Sequence, residues 1–258
     1  MHHFGKVLAA TAFTLLPALH AGPARAQPVA SAQAARTVEG ARLPLGRGTA
    51  TAWVGLDARG APVAVGVDLT EAALDDLPGH KTGIDLALPP EAGQAGYDHV
   101  GLDWEAHGHA PAGVYDVPHF DVHFYRIGVA ERDRIVREDP AFEARLARPP
   151  AEGIPPPGLR RGAGTPRMGQ HWGIADAVPD QPGRPFEKVM VIGSYDGRLI
   201  FLEPMMTRAF LLTRPDVTIP IRAPARAEGR LWWPDAYRVS FRDGVYRIAL
   251  TGLRPLPG

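Results

Sequence analysis

Polar and apolar residues alternate with a period of two along Pro118 to Tyr125. His119, Asp121, His123 and Tyr125 take every second position, with Pro118, Phe120, Val122 and Phe124 between them. Successive side chains of a strand point to opposite faces. One face of this strand therefore carries two imidazoles, a carboxylate and a phenol, and the other carries aromatic and aliphatic bulk. Shorter runs of strand character precede it: Thr49 to Leu56 and Pro62 to Asp68 flank Asp57-Ala58-Arg59-Gly60 as a hairpin, and Ile84 to Leu88 follows. Thr70 caps a brief helix over Glu71 to Leu77, and Tyr97 to Tyr115 reads as mostly irregular. Helical spacing begins at Glu131 and again at Pro140 to Arg148, with Asp139 as N-cap. Residues 149–167, rich in Pro, Gly and Arg, are expected to form a long surface loop.

Two Asp-Gly pairs mark tight hairpins in the second half. A two-residue turn at Asp196-Gly197 pairs Tyr195 with Arg198, Ile192 with Phe201 and Met190 with Glu203. Glu203 then shares a face with Leu199, Phe201, Ile192 and Met190, where a carboxylate is costly unless a cation or water compensates it. Around Asp243-Gly244 one face gathers Tyr237, Val239, Phe241, Tyr246, Ile248 and Leu250, and the other Arg238, Ser240, Arg242 and Arg247. That is a half-buried antiparallel pair with a solvated basic face. The fold expected is mainly β, an antiparallel barrel or sandwich with a few short helices.

Composition narrows the setting. The chain has 258 residues, 29 Gly, 27 Pro, no Cys and no net charge, so nothing points to nucleic acid and thiolate metal sites are excluded. Lys6, the apolar Val7 to Leu16 and Ala24-Arg25-Ala26 form an export signal over residues 1–26. Residues 27–47 follow as a mobile N-terminal arm, and 48–258 as one β-rich domain. The expected location is periplasmic or secreted, without membrane insertion after cleavage.

Histidine usage supplies the chemistry. Ten are present; His2, His3 and His20 fall in the leader, and all the others except His80 lie between 99 and 171. Residues two apart on a strand are about 7 Å apart and those four apart about 13 Å. His119 with Asp121, or Asp121 with His123, can hold one ion. His119 and His123 share one only at a bend, and otherwise serve two neighbouring ions. His171, beside Trp172, is either a satisfied core imidazole or a third ligand, and His109 is a further candidate. His99 and His107 are read as loop histidines. Tyr125 either aims its hydroxyl at the site or sits at its rim. A set drawn from His119, Asp121, His123, His171 and Glu203 has the N/O chemistry of a divalent metal, zinc first. Gly193-Ser194-Tyr195-Asp196-Gly197 lies on a hairpin turn and is not a nucleophile elbow. The cupin spacing is only partly matched.

The stretches Gly108 to Tyr125, Met168 to Trp172, Gly193 to Gly197 and Phe201 to Met205 resemble a bacterial family of exported domains of unknown function. Its prototype is a thermophile protein under sigma-E/anti-sigma-E control. The resemblance covers roughly residues 45 to 250. It implies a β-rich fold and a zinc-type site at His119, Asp121, His123, His171 and Glu203, and no established reaction. The resulting expectation is an exported metalloprotein with its ion inside a barrel or sandwich, as an enzyme on a small-molecule ligand or as a non-catalytic envelope binding or interaction protein. Self-association stays open.

Overall fold

The computed structural model describes residues 1–2, 34–150, 154–174, 186–224 and 231–256. The segment expected as an export signal, apart from residues 1–2, and the first part of the expected N-terminal arm lie outside the described residues. Among the described residues fifteen strands follow one another: β1 (Arg36–Leu45), β2 (Gly48–Leu56), β3 (Pro62–Thr70), β4 (Thr82–Ala87), β5 (His99–Glu105), β6 (His119–Tyr125), β7 (Leu159–Thr165), β8 (Gly169–Ile174), β9 (Lys188–Tyr195), β10 (Arg198–Thr207), β11 (Asp216–Pro220), β12 (Trp232–Trp233), β13 (Ala236–Arg242), β14 (Val245–Thr251) and β15 (Arg254–Pro255). They form a six-stranded sheet ordered β1-β2-β3-β14-β13-β11, a seven-stranded sheet ordered β4-β5-β6-β10-β9-β8-β7, and the small pair β12-β15. The architecture is a sandwich of antiparallel sheets; the described strands close no barrel.

Alternation explains how the two large sheets meet. Phe120, Val122 and Phe124 of β6, Val100, Leu102 and Trp104 of β5, and Val65, Val67, Val239 and Ile248 of the other sheet belong to one buried cluster. Burying such side chains is the main stabilising term, worth about 1.5–3 kcal/mol each. The two Asp-Gly turns form as their sequence requires: Asp196 and Gly197 have φ of 51° and 78°, Asp243 and Gly244 of 52° and 76°. Positive φ at both central residues is the type I′ geometry that matches strand twist. The terminal hairpin pairs Tyr237 with Leu250, Val239 with Ile248 and Phe241 with Tyr246, in the expected register.

Several expectations are corrected. Arg36–Leu45 of the expected irregular arm is a strand, because it pairs along β2 with a bulge between Glu39 and Arg42. The loop at 149–167 contains β7, whose glycines and arginines are tolerated because it is the outermost strand of its sheet. Within Tyr97 to Tyr115 lies β5, so His99 is a buried strand residue and not a loop histidine. The expected helices are shorter: a 3₁₀ turn at Glu71–Leu74, α1 (Val129–Arg132) and α2 (Phe142–Ala147); α3 (Arg208–Leu212) was not expected, and is capped by the Thr207 hydroxyl accepting from the Phe210 N–H. Among the described residues no helix is long and apolar enough to cross a membrane.

Candidate metal centre

The polar half of the β6 alternation points away from the sandwich core. Phe120, Val122 and Phe124 fill the space between the sheets, so His119, Asp121, His123 and Tyr125 project from the opposite face of the seven-stranded sheet. The expectation of an ion between the sheets is therefore corrected. The outer face is nonetheless buried. Phe186, Val189, Val191 and Met205, with Tyr115 and Val117, cover one end. Ile127, Ile135, Phe142, Leu146, Ile200 and Phe201 cover the other. His119 and His123 have no exposed surface, and Glu203 and Asp121 are 2% and 3% exposed.

Neighbouring strands add to this face in register. β5 pairs His99 with Tyr125, Gly101 with His123, Asp103 with Asp121 and Glu105 with His119. β10 pairs Leu202 with Phe124 and Met205 with Asp121, which sets Glu203 beside His123. The pairing of β9 with β10 departs from the expected one. A bulge at Ile200 moves Phe201 opposite Gly193 and Glu203 opposite Val191. Glu203 thus shares its face with Phe201 and Val191, while Ile192 and Met190 belong to the sandwich core. β8 places His171 opposite Gly193, on the same face.

Two groups result. His109, His119 and Asp121 form one, and His123, His171 and Glu203 the other; within each group the ligand atoms lie within 4.8 Å of one another, and each group could hold a metal ion. The structure thus divides the expected set of five and recruits His109, from the loop between β5 and β6. His119 Nε2 lies 3.1 Å from Asp121 Oδ1, His109 Nε2 lies 3.5 Å from Asp121 Oδ2, and His123 Nε2 lies 3.3 Å from Glu203 Oε1. Around a tetrahedral zinc with bonds near 2.0–2.1 Å, ligand atoms are about 3.3 Å apart.

The ring orientations suit ligation. His119 Nδ1 lies 2.7 Å from the Val117 carbonyl, His109 Nδ1 2.8 Å from that of Ala110, and His171 Nδ1 3.0 Å from that of Ala163. A carbonyl at Nδ1 fixes the tautomer that leaves Nε2 as a lone-pair donor. His123 differs: its Nδ1 faces Asp103 Oδ2 at 3.6 Å, too long for a hydrogen bond. Rings pack around both groups, Phe186 against His119 at 5.1 Å and Phe201 against His123 at 4.9 Å.

Electrostatics on this face are unbalanced. His119 Nε2, Asp121 Oδ1, both nitrogens of His123 and Glu203 Oε2 are buried without a hydrogen-bond partner. Burial pushes Glu203 well above the usual carboxylate range, and the Asp121 and Asp103 carboxylates add to it. Burial alone would raise Asp121, yet the His109 and His119 rings hold it below the usual range. Burial drives His123 down to about 3 and lowers His171. Asp103 is raised to about 6 by burial, with Lys81 opposing and Asp121 and Glu105 reinforcing. The near cation is Lys81, paired with the buried Glu105.

Over residues 57–104 the chain matches the family model described as TTHB210-like, hypothetical protein TTHB210. No curated protein and no solved structure matches the chain. The matched segment runs from the β2–β3 turn through β5. It includes Lys81, Asp85, His99 and Asp103 but none of the six residues of the two groups, and it is similar to a family described without an activity. Lys81, Asp103 and Glu105 were missed by the sequence reading. Their signal was present: His99, Gly101, Asp103 and Glu105 alternate with Val100, Leu102 and Trp104 just as β6 alternates.

Proposed function

We propose that the chain is an exported member of this uncharacterised family that binds two divalent cations, zinc first, on the loop-covered face of its seven-stranded sheet. One ion is held by His109, His119 and Asp121, the other by His123, His171 and Glu203. The observation that carries the reading is the set of buried, partnerless nitrogen and oxygen atoms at ligand-to-ligand spacing. An unsatisfied buried polar atom costs about 1–3 kcal/mol, and a cation removes that cost for several at once. Charge agrees. Asp103, Glu105, Asp121 and Glu203 face one lysine, Lys81, so ionised carboxylates leave a net of three negative charges; two divalent ions bring it close to neutral. The chemistry such ions supply is Lewis-acid activation. A pocket beside the second group favours an enzyme acting on a small molecule over a purely structural role. Support for export comes from Lys6, Val7 to Leu16 and Ala24-Arg25-Ala26.

Elemental analysis of protein recovered from the periplasm tests this. Wild type should carry two ions per chain, and His119→Ala and His123→Ala should each lose one while keeping a wild-type circular dichroism spectrum. Sub-stoichiometric metal in wild type, even after reconstitution with zinc and desalting, would show the reading to be wrong.

A further inference from the structure

On the same face of the sheet, beyond His123, lies a pocket of about 240 Å³ over β4 and β5. Its floor is glycine. Gly83 pairs with Asp103, and Gly101 sits between Asp85 and His123 in the pairing. A side chain at Gly83 would meet the Asp103 carboxylate, and one at Gly101 would crowd the Tyr125 ring. Asp103 and Tyr125 form the wall toward the second group: Asp103 faces His123 Nδ1, and the Tyr125 ring stacks on His123 at 5.4 Å.

The polar groups around the pocket divide into committed and uncommitted ones. Arg132 is buried and fully engaged, with a two-pronged contact to Asp85 and further bonds to Asp133. That contact also occupies both Asp85 oxygens, whereas Asp103 stands 3.6 Å from His123 Nδ1, beyond hydrogen-bond reach. Arg167 is different. Its Nε donates to Asp133 at 2.9 Å, while its Nη2 lies 3.6 Å from Asp85, beyond hydrogen-bond reach. Among the described residues its terminal nitrogens have no hydrogen-bond acceptor. Lys81 gives one N–H to Glu105 and keeps the others, and the Thr82 hydroxyl is uncommitted. Among the described residues the groups left over are two cationic donors, Arg167 and Lys81, the Thr82 hydroxyl, and one carboxylate, Asp103, on the wall toward His123.

Backbone geometry points the same way. Arg167 has a φ of 66°, a left-handed conformation that glycine takes at no steric cost and arginine does not. A non-glycine residue there is strained, and the conformation persists where the surroundings enforce it. The enforcement is visible: the Arg167 N–H donates to the Ile135 carbonyl, and the Tyr125 hydroxyl reaches the Arg167 carbonyl. The strained turn holds a guanidinium at the pocket mouth.

We propose that this pocket binds a small molecule through a carboxylate or phosphate group, gripped by the Arg167 fork and by Lys81, and holds it beside the His123, His171 and Glu203 group. A guanidinium fork matches either anion in two-point geometry. The adjacency to an ion rests on the two-ion reading; the anion chemistry of the pocket does not.

Saturation-transfer NMR titrations of the full chain with acetate and with methyl phosphate, each observed at its methyl protons, test it on zinc-loaded and on chelator-treated protein. At least one probe should bind both forms, and the tighter of the two tells carboxylate from phosphate. Arg167→Gln and Lys81→Gln should each weaken it about tenfold or more, with zinc content unchanged, whereas Arg137→Gln, elsewhere on the surface, should not. Failure of both probes on both forms would overturn the proposal. So would binding that needs zinc, is lost in His123→Ala and is untouched in Arg167→Gln and Lys81→Gln. That last pattern would place the anion on the ion itself and leave the two-ion reading standing.

Discussion

Four imidazoles converge on this face, and each has its second nitrogen handled separately. Val117, Ala110 and Ala163 offer carbonyls to His119, His109 and His171, and Asp103 stands 3.6 Å from His123. A neutral ring needs no deprotonation before ligating a cation, and burial lowers His123 to about 3 and lowers His171 as well; His109 is shifted the other way, its desolvation outweighed by the Asp121 carboxylate. Glu203 is the opposite case. Its raised affinity for a proton means the metal-free chain holds the carboxyl protonated above the ordinary carboxylate range. Cation binding stabilises the ionised form, so uptake at the second group expels that proton. Calorimetric zinc titration of a His119→Ala chain, which keeps the second group, in buffers of different ionisation enthalpy should report proton release at that group. Glu203→Gln should abolish it; release that persists in Glu203→Gln would assign it to histidine and contradict the assignment. At this scale the sequence was legible where ligand types alternate in one short run, as at His119, Asp121 and His123. His109 was only a further candidate there, since its place is set by a loop folding back so that its N–H donates to the Tyr115 carbonyl.

Alternation alone located β6, and the same signal went unused in β5 because Gly101 and the flanking polar residues made the segment look irregular. That glycine is what a strand needs beside a pocket, where a side chain would meet Tyr125. The β9–β10 hairpin shows the limit of register arguments. The Asp196-Gly197 turn fixed the pairing at Tyr195 and Arg198, but one extra residue at Ile200 reversed the partners beyond it. A bulge of this kind has no reliable local signal, since what it satisfies is the packing of Phe201. The Phe201 ring lies across Gly193, where a Cβ would stand 2.0 Å from it. The same ring packs on His123 and His171 at 4.9 and 5.6 Å. Gly193→Ala must therefore push Phe201 toward the second group. The cost should be about 1–3 kcal/mol, seen as a fall in Tm of roughly 3–10 °C. Zinc should be lost from the second group and kept at the first. An unchanged Tm and an unchanged second ion would show that the ring has room to move.

The whole molecule uses one sheet for two purposes. Its apolar face builds the sandwich core, and its polar face lies under short helices and loops that exclude water. The antiparallel, turn-rich architecture was readable from strand periodicity and glycine-containing turns. The choice of sandwich over barrel was not, because closure depends on which edge strands meet, and β1, β11, β4 and β7 end their sheets here. Nor did the pattern say which side of the sheet the ligands would take, although the bulk of Phe120, Val122 and Phe124 reserves the core side. Burying Glu105, Asp121 and Glu203, with Asp103 half-buried among them, beside Lys81 makes the native state depend on added positive charge. Anomalous diffraction at the zinc edge from crystals of the zinc-loaded protein addresses this most directly. It should give two strong peaks, one enclosed by His109, His119 and Asp121 and one by His123, His171 and Glu203; peaks confined to the protein surface, or none, would contradict it.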